Sequence, residues 1–354
     1  MRTRLTTSLA AAVTALTLLT AVPAAAQGPG QHSPGHQAPG THAPGAHGPG
    51  RPGPHPGHHH RPTTYLLDPV GPAADDVYPE GVAARGNQFY VSSTTDGTIY
   101  RGDLDEPTAT PFLPGGQDGR TMAVGLKVDG PTLLVAGGMT GRVWAYDLRT
   151  RALTGSWQVV QDGTPTFVND LAISPRGDIY VTDSMRPVLY RIDAREKRTT
   201  STELLEPVVS FEGTEFTYDQ DVNANGLVIS RDGKTAIVAK TRTGQLFRVG
   251  LTDGSVSVVD LHGGSVQGDG LLLDGHRLLA AEWTAGTPQS VVVVDLDRDL
   301  TSGTVVSRTS DPSFDDPTTI ARAGRDLLVV NSQFETRSAG GTPEPFTVSR
   351  IPVP

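Results

Sequence analysis

From Glu80 onward the chain repeats itself. Each unit is a turn, a short alternating strand, a Gly-containing turn, an apolar strand and a third strand that ends near an Asp. The first unit begins EGVAARGNQFYVSS at Glu80, the second VGLKVDGPTLLVAG at Val124 and the third NDLAISPRGDIYVTDS at Asn169. The fourth begins NGLVISRDGKTAIVAK at Asn225, the fifth DGLLLDGHRLLAAEW at Asp269 and the sixth DPTTIARAGRDLLVVN at Asp316. Successive starts lie 44, 45, 56, 44 and 47 residues apart. That period suits one four-stranded blade of a β-propeller. Strands of Val, Ile, Leu and Tyr between Gly- and Asp-rich turns, with no long helical pattern, predict an all-β fold. The expected architecture is a six-bladed β-propeller over residues 62–354. Tyr65–Pro69 and Val348–Val353 are the candidate strands that close the ring by sharing a blade, which removes exposed sheet edges.

The residues before the repeats read differently. Arg2 and Arg4, an apolar run from Leu9 to Val22 and Ala24-Ala25-Ala26 form a signal-peptide pattern over 1–26. The expectation is cleavage near Ala26 and a secreted, extracellular protein with no membrane span afterwards. Residues 27–61 are a Gly/Pro/His-rich linker holding eight of the ten histidines. Such composition buries no core and is expected to be disordered. Its clustered imidazoles offer weak transition-metal binding, but nothing in the spacing sets a geometry. The chain has no Cys, which excludes disulfides, thiolate metal sites and a thiol nucleophile. Residues 62–354 carry 25 basic and 38 acidic side chains, so nucleic acid is not an expected partner.

Aligned at their first residue, the six units present Glu80, Val124, Asn169, Asn225, Asp269 and Asp316. Five of these six offer a side-chain oxygen. Asp, Glu and Asn together make up 43 of the 354 residues, so chance places fewer than one in six such slots. In a propeller this position starts the innermost strand, and all copies converge on one end of the central channel. Crowded carboxylates repel one another there, and a divalent cation relieves the repulsion. Hard oxygen donors without Cys or nearby His suit Ca²⁺, with Mg²⁺ or Mn²⁺ as alternatives. The competing explanation is local: Asp and Asn before Gly are ordinary turn residues.

These residues resemble the SMP-30/gluconolactonase family of six-bladed, calcium-dependent propellers. The resemblance is carried by Tyr78-Pro79-Glu80-Gly81, Phe167-Val168-Asn169-Asp170 with Pro175-Arg176-Gly177, Asn225-Gly226-Leu227 with Arg231-Asp232-Gly233-Lys234, and Gly268-Asp269-Gly270. It implies one divalent cation held by Glu80, Asn225 and Asp269. Asn169 then lines the same pocket and contacts substrate or a water on the metal. It also implies hydrolysis of a lactone or ester by metal-activated water, with Asp269 as general base.

The chain departs from the family pattern in places. Phe167 stands where sugar-lactone hydrolases of the family carry an Arg, which makes the wall apolar. Asp316 is an extra acid without an assigned role. Lys240 falls where an Asp is common, and its ammonium is expected to reach solvent. Trp144, Trp157 and Trp283 are expected to pack between blades, with Trp283 the one placed to stack on a ligand. The alternative function is a non-catalytic, calcium-stabilised propeller that binds a small ligand, a wall polymer or a protein. A Ser hydrolase elbow, G-x-S-x-G, is absent. His262 and His276 are the only imidazoles after residue 60.

Overall fold

The computed structural model describes residues 61–68, 76–284 and 288–354. The signal-peptide pattern, 1–26, and the His-rich segment up to His60 lie outside the described residues.

Each repeat folds as an antiparallel sheet whose strands succeed one another from the channel outward. Blade one is Pro79–Arg85, Gln88–Ser93, Ile99–Asp103 and Thr108–Leu113. Blade two is Leu126–Asp129, Thr132–Ala136, Arg142–Asp147 and Leu153–Gln158, and Thr202–Leu204 adds to its outer edge in parallel. Blade three is Val168–Ile173, Ile179–Asp183, Val188–Ile192 and Glu206–Ser210. Blade four is Ala224–Ile229, Thr235–Lys240, Gln245–Gly250 and Val256–Val258. Blade five is Gly268–Asp274, Arg277–Glu282, Ser290–Leu296 and Gly303–Thr309. Blade six takes Pro317–Ala323, Asp326–Asn331 and Thr347–Pro352 from one end of the repeat region and Thr64–Leu67 from the other.

That shared blade is the expected closure. Tyr65 pairs with Val348, and Leu66 and Leu67 then pair in parallel with Thr108 and Ala109 of blade one. Each innermost strand also packs against the innermost strands of both neighbours, blade six against blade one included. The ring is closed, and each inner edge is covered by the blades beside it.

The core is divided into six apolar layers, one between each pair of adjacent blades. This explains the continuous apolar runs. Ala236, Ile237, Val238 and Ala239 in the second strand of blade four are all buried, because both faces of that strand meet a neighbouring blade. Trp144 and Trp157 pack in these layers, as expected of them.

The spacing of 56 residues between the third and fourth units reflects an insertion. Residues 211–223 lie between the last strand of blade three and the first of blade four. Phe211, Phe216 and Tyr218 stack on one another, and Phe216 sits on Phe247 of blade four. Lys240 departs from its expected place. It is 3% exposed, and its ammonium donates to the Thr217 carbonyl beneath this insertion, 5.9 Å from the centre of the Phe216 ring. A lysine in place of an acid therefore pins the inserted segment and does not face the channel.

Candidate metal centre

Four of the six positions singled out by the repeat alignment sit in β-bulges: Glu80, Asn169, Asn225 and Asp269. In five blades the pairing of the two inner strands shifts at the same place: after Pro79, Val168, Ala224, Gly268 and Pro317. The bulged pairs are Glu80-Gly81, Asn169-Asp170, Asn225-Gly226, Asp269-Gly270 and Thr318-Thr319. A bulge re-aims a side chain that regular pleating would point between blades. In blades one, three, four and five the bulge brings Glu80, Asn169, Asn225 and Asp269 to one cavity.

The register corrects the sixth unit. Pro317 pairs with Asn331 as Pro79 pairs with Ser93, so the blade-six counterpart of Glu80 is Thr318. Asp316 lies two residues earlier and is not a member of the ring. Its buried carboxylate accepts the backbone N–H of Glu335 at 2.6 Å and the side-chain amide of Gln289 at 3.1 Å.

The bulges also replace the turn explanation for the glycines. Gly81, Gly226 and Gly270 have ordinary negative φ, since they are not among the glycines with positive φ. They are required because a Cβ at Gly81 would lie 2.2 Å from the Val124 carbonyl oxygen, and at Gly226 2.0 Å from that of Asp269. Each glycine lets the next blade's ring residue approach. Hydroxyls stitch the same seam: Ser92 donates to the Val124 carbonyl, Thr182 to that of Asn225 and Thr318 to that of Glu80.

Glu80, Asn169, Asn225 and Asp269 line one cavity of about 300 Å³ together with Val124, the apolar blade-two member of the ring. Glu80, Asn169 and Asn225 are buried, and Asp269 is partly exposed at the cavity. Their neighbours orient the amides. Asn169 Nδ2 donates to Ser184 Oγ at 2.8 Å, and Ser184 donates on to the Ala224 carbonyl. Asn225 Nδ2 donates to Thr241 Oγ1 at 3.0 Å. Two buried oxygens are left without a partner, Glu80 Oε2 and Asn169 Oδ1. Unpaired buried acceptors are costly, so a donor or a cation belongs there.

Electrostatics agree. Burial pushes Glu80 well above the usual carboxylate range, and Asp269 and Asp170 add to the rise. Burial also raises Asp269 to about 7, opposed by hydrogen bonds from Asn225 and Trp283. Asp170, the bulge partner of Asn169, is held by Lys127 Nζ at 2.8 Å and accepts the Leu171 N–H at 2.8 Å. It therefore has a counter-charge in direct contact, whereas Lys127 opposes the rise at Glu80 only as a lesser influence and no cation opposes it at Asp269. Among the described residues no three His, Cys, Asp or Glu side chains form a metal-ligand group. A cation in this cavity would rest on the two carboxylates plus the amide oxygens. That all-oxygen set fits a hard ion such as Ca²⁺.

A pH effect follows for the metal-free protein. Acids whose pKa is raised on folding make the folded state hold protons more tightly than the unfolded chain. Stability is then highest below the unfolded value and is lost as pH rises through the folded one. The melting temperature in EDTA is expected to fall as pH rises from about 4 through about 7, the folded value of Asp269. Added Ca²⁺ should suppress the fall. A melting temperature in EDTA that rises over the same window would contradict the arrangement.

Trp283, expected between blades but also the one placed to stack on a ligand, lines the cavity partly exposed and is in none of the apolar layers between blades. Phe167 lines the wall as expected. Phe334 comes from a short helix, Phe334–Ser338, between the second and third strands of blade six. Asp221, Val222 and Arg242 stand at the mouth, the first two contributed by the insertion. His262 and His276 are exposed and outside the cavity.

Comparison with known proteins agrees with this fold. No curated protein sequence matches the chain. Among solved structures, regucalcin from Agrobacterium tumefaciens, described as a calcium-binding protein, matches at 18% identity. It aligns over 77% of this chain and 89% of its own, with a TM-score of 0.55. The major allergen Mala s 1 of Malassezia sympodialis matches at 14% identity over 82% and 96%, with a TM-score of 0.59. Virginiamycin B lyase from Staphylococcus aureus matches at 11% identity over 82% and 87%, with a TM-score of 0.52. At such identities these likenesses show the propeller fold. The family signature described as SMP-30/Gluconolactonase/LRE-like region spans residues 116–332, from the approach to blade two to the end of the second strand of blade six. The chain therefore belongs to the SMP-30/gluconolactonase/LRE-like family.

Proposed function

We propose that this protein is a secreted, divalent-metal-dependent hydrolase that opens a lactone or ester. The observation that carries the reading is the pair of unpartnered buried oxygens, Glu80 Oε2 and Asn169 Oδ1, in one cavity with Asn225 and Asp269. Family membership supports the reaction class, and the regucalcin-like neighbour, named as calcium-binding, supports the choice of ion. The export pattern at 1–26 supports secretion, where a weak extracellular-type calcium site would be filled.

Glu80 and Asp269 supply the charge that holds the ion, and Asn225 supplies a neutral oxygen. When bound, the cation contributes Lewis acidity toward the ester group and toward water. The remaining chemistry belongs to the chain. Asp269 reaches the cavity and accepts the proton of the attacking water on a carboxylate oxygen. Asn169, its Nδ2 tied to Ser184, turns its carbonyl oxygen toward substrate or ion. The apolar wall limits competing water.

The test is the EDTA-treated protein with and without Ca²⁺, in a pH-indicator assay over sugar, aliphatic and aryl lactones. Proton release that requires Ca²⁺ and falls about 10²–10⁴-fold in Asp269→Asn is the expected result. Ca²⁺ binding without release from any lactone would overturn catalysis and favour the binding-module reading, which the apolar wall with Phe167 in place of Arg already suits.

A further inference from the structure

The cavity's upper wall has a distinct chemistry. Three aromatic side chains from three different blades enclose it: Phe167 before the inner strand of blade three, Trp283 after the second strand of blade five and Phe334 from the blade-six helix. Val124 and Val222 add to the apolar lining. Among the described residues the only basic side chain in the lining, Arg242, is already paired with the Asp221 carboxylate at the mouth.

The placement of Phe334 is built. Its helix has a single turn and no stability of its own. Asp316 fastens its start by accepting the Glu335 N–H. Arg337 fastens its end, stacked 4.6 Å over the Tyr78 ring and donating to Thr94 Oγ1 at 3.1 Å. Tyr78 in turn leads directly to Glu80. The acid that the repeat alignment could not place therefore holds one aromatic wall over the ring residues.

We propose that the substrate is an uncharged lactone or ester with a flat apolar or aryl body, and that Phe167, Trp283 and Phe334 determine this specificity. The proposal names the substrate of the reaction proposed above and rests on that reading. The ester end meets the oxygen ring, and the apolar body fills the aromatic collar. A polyhydroxylated lactone would bring hydroxyls against aromatic faces, and each one left without a partner costs about tenfold in affinity. An anionic substrate would have to displace Asp221 from Arg242. A volume of about 300 Å³ is at the small end of ligand sites and suits one or two fused rings. Asp316 acts through the helix and is a positioning residue.

The test reads binding as well as turnover. The lactam analogue of dihydrocoumarin and gluconolactam are unreactive probes, and Trp283 is the fluorophore because Trp144 and Trp157 are buried elsewhere. The Ca²⁺-loaded protein is expected to bind the aryl lactam at least about tenfold tighter than the sugar lactam. Phe334→Ala should lose about tenfold of that affinity with Ca²⁺ affinity unchanged, and Phe167→Arg should narrow or reverse the preference. Asp316→Ala should weaken aryl binding and Asp316→Asn restore part of it, again with Ca²⁺ affinity unchanged. If the Asp316→Ala variant does not fold, Phe334→Ala decides. Equal binding of the two lactams, or unchanged affinity in Phe334→Ala, overturns the collar even if lactones are hydrolysed. An aryl preference with no turnover of dihydrocoumarin overturns the hydrolase reading while the collar stands as a binding site.

Discussion

Glu80→Gln combined with Asp269→Asn is expected to abolish Ca²⁺ binding and, in EDTA at neutral pH, to raise the melting temperature above that of the parent. The two effects have one cause. In the metal-free protein both carboxyls sit in a protein-lined site, Glu80 only partly offset by the Lys127 ammonium that pairs with Asp170, and their pKa values are raised. At neutral pH the folded state carries the cost of desolvating two acids that the unfolded chain holds ionised in water, and amides of the same shape avoid that cost. Removing both charges relieves the metal-free fold. It also removes the two groups whose negative charge holds the ion. Losing a group that merely supports a metal ligand costs roughly 10–100-fold in affinity, so losing both acids should exceed 100-fold. Calorimetric Ca²⁺ titration and melting in EDTA check the two halves together. A double variant that keeps parental Ca²⁺ affinity would remove Glu80 and Asp269 from the site. One that melts lower than the parent in EDTA would show that the acids stabilise the metal-free fold.

Gly226→Ala is expected to be the most damaging single methyl in the ring. The added carbon would lie 2.0 Å from the Asp269 carbonyl oxygen and 3.0 Å from the Leu271 nitrogen, both backbone. No flexible side-chain end is available to move. Relief requires blades four and five to separate at the seam where their ring residues meet. Overpacking in a core commonly costs about 1–3 kcal/mol, and a backbone-on-backbone overlap belongs at or above the top of that range. For a domain of this size about 3 kcal/mol corresponds to roughly 6–12 °C of melting temperature. Gly86→Ala is the comparison. Gly86 has φ of 60° in an exposed turn with nothing within 4 Å of a new Cβ, so its cost is only the backbone strain, about 1 kcal/mol. Because the shifted carbonyl belongs to Asp269, Gly226→Ala should also weaken Ca²⁺ binding, whereas Gly86→Ala should not. Equal melting temperatures for the two variants would contradict the close approach of the blades.

The repeat makes the propeller and most of the ring legible in the sequence. Glu80, Asn169, Asn225 and Asp269 share an offset because the bulge recurs at the same step of each blade. The sixth unit was misaligned by two residues because Asp316 is polar and stands before Pro317, as if it opened the unit. The apolar residue two places after each ring position was the safer mark: Val82, Leu126, Leu171, Leu227, Leu271 and Ile320. Counting back from Ile320 reaches Thr318. The glycines were readable as a pattern but not as a cause, since the carbonyl each one accommodates comes from the next blade. The aromatic wall was legible at Phe167, two residues before Asn169, and at Trp283, just after the second strand of blade five. Phe334 reaches the cavity from blade six, and no local spacing brings it there. Lys240 was misplaced because the insertion that buries it, 211–223, shows in the sequence only as a long interval between units.

The central claim is that these four side chains form a hard-cation site. The most direct measurement is a calorimetric titration of the EDTA-treated protein with Ca²⁺ near neutral pH, repeated at about pH 5. The expected result is one saturable site per chain that binds more weakly at the lower pH, because protons and Ca²⁺ compete for Glu80 and Asp269. Absence of any saturable Ca²⁺ or Mn²⁺ binding up to millimolar concentration would contradict it. So would binding that is equally tight at both pH values.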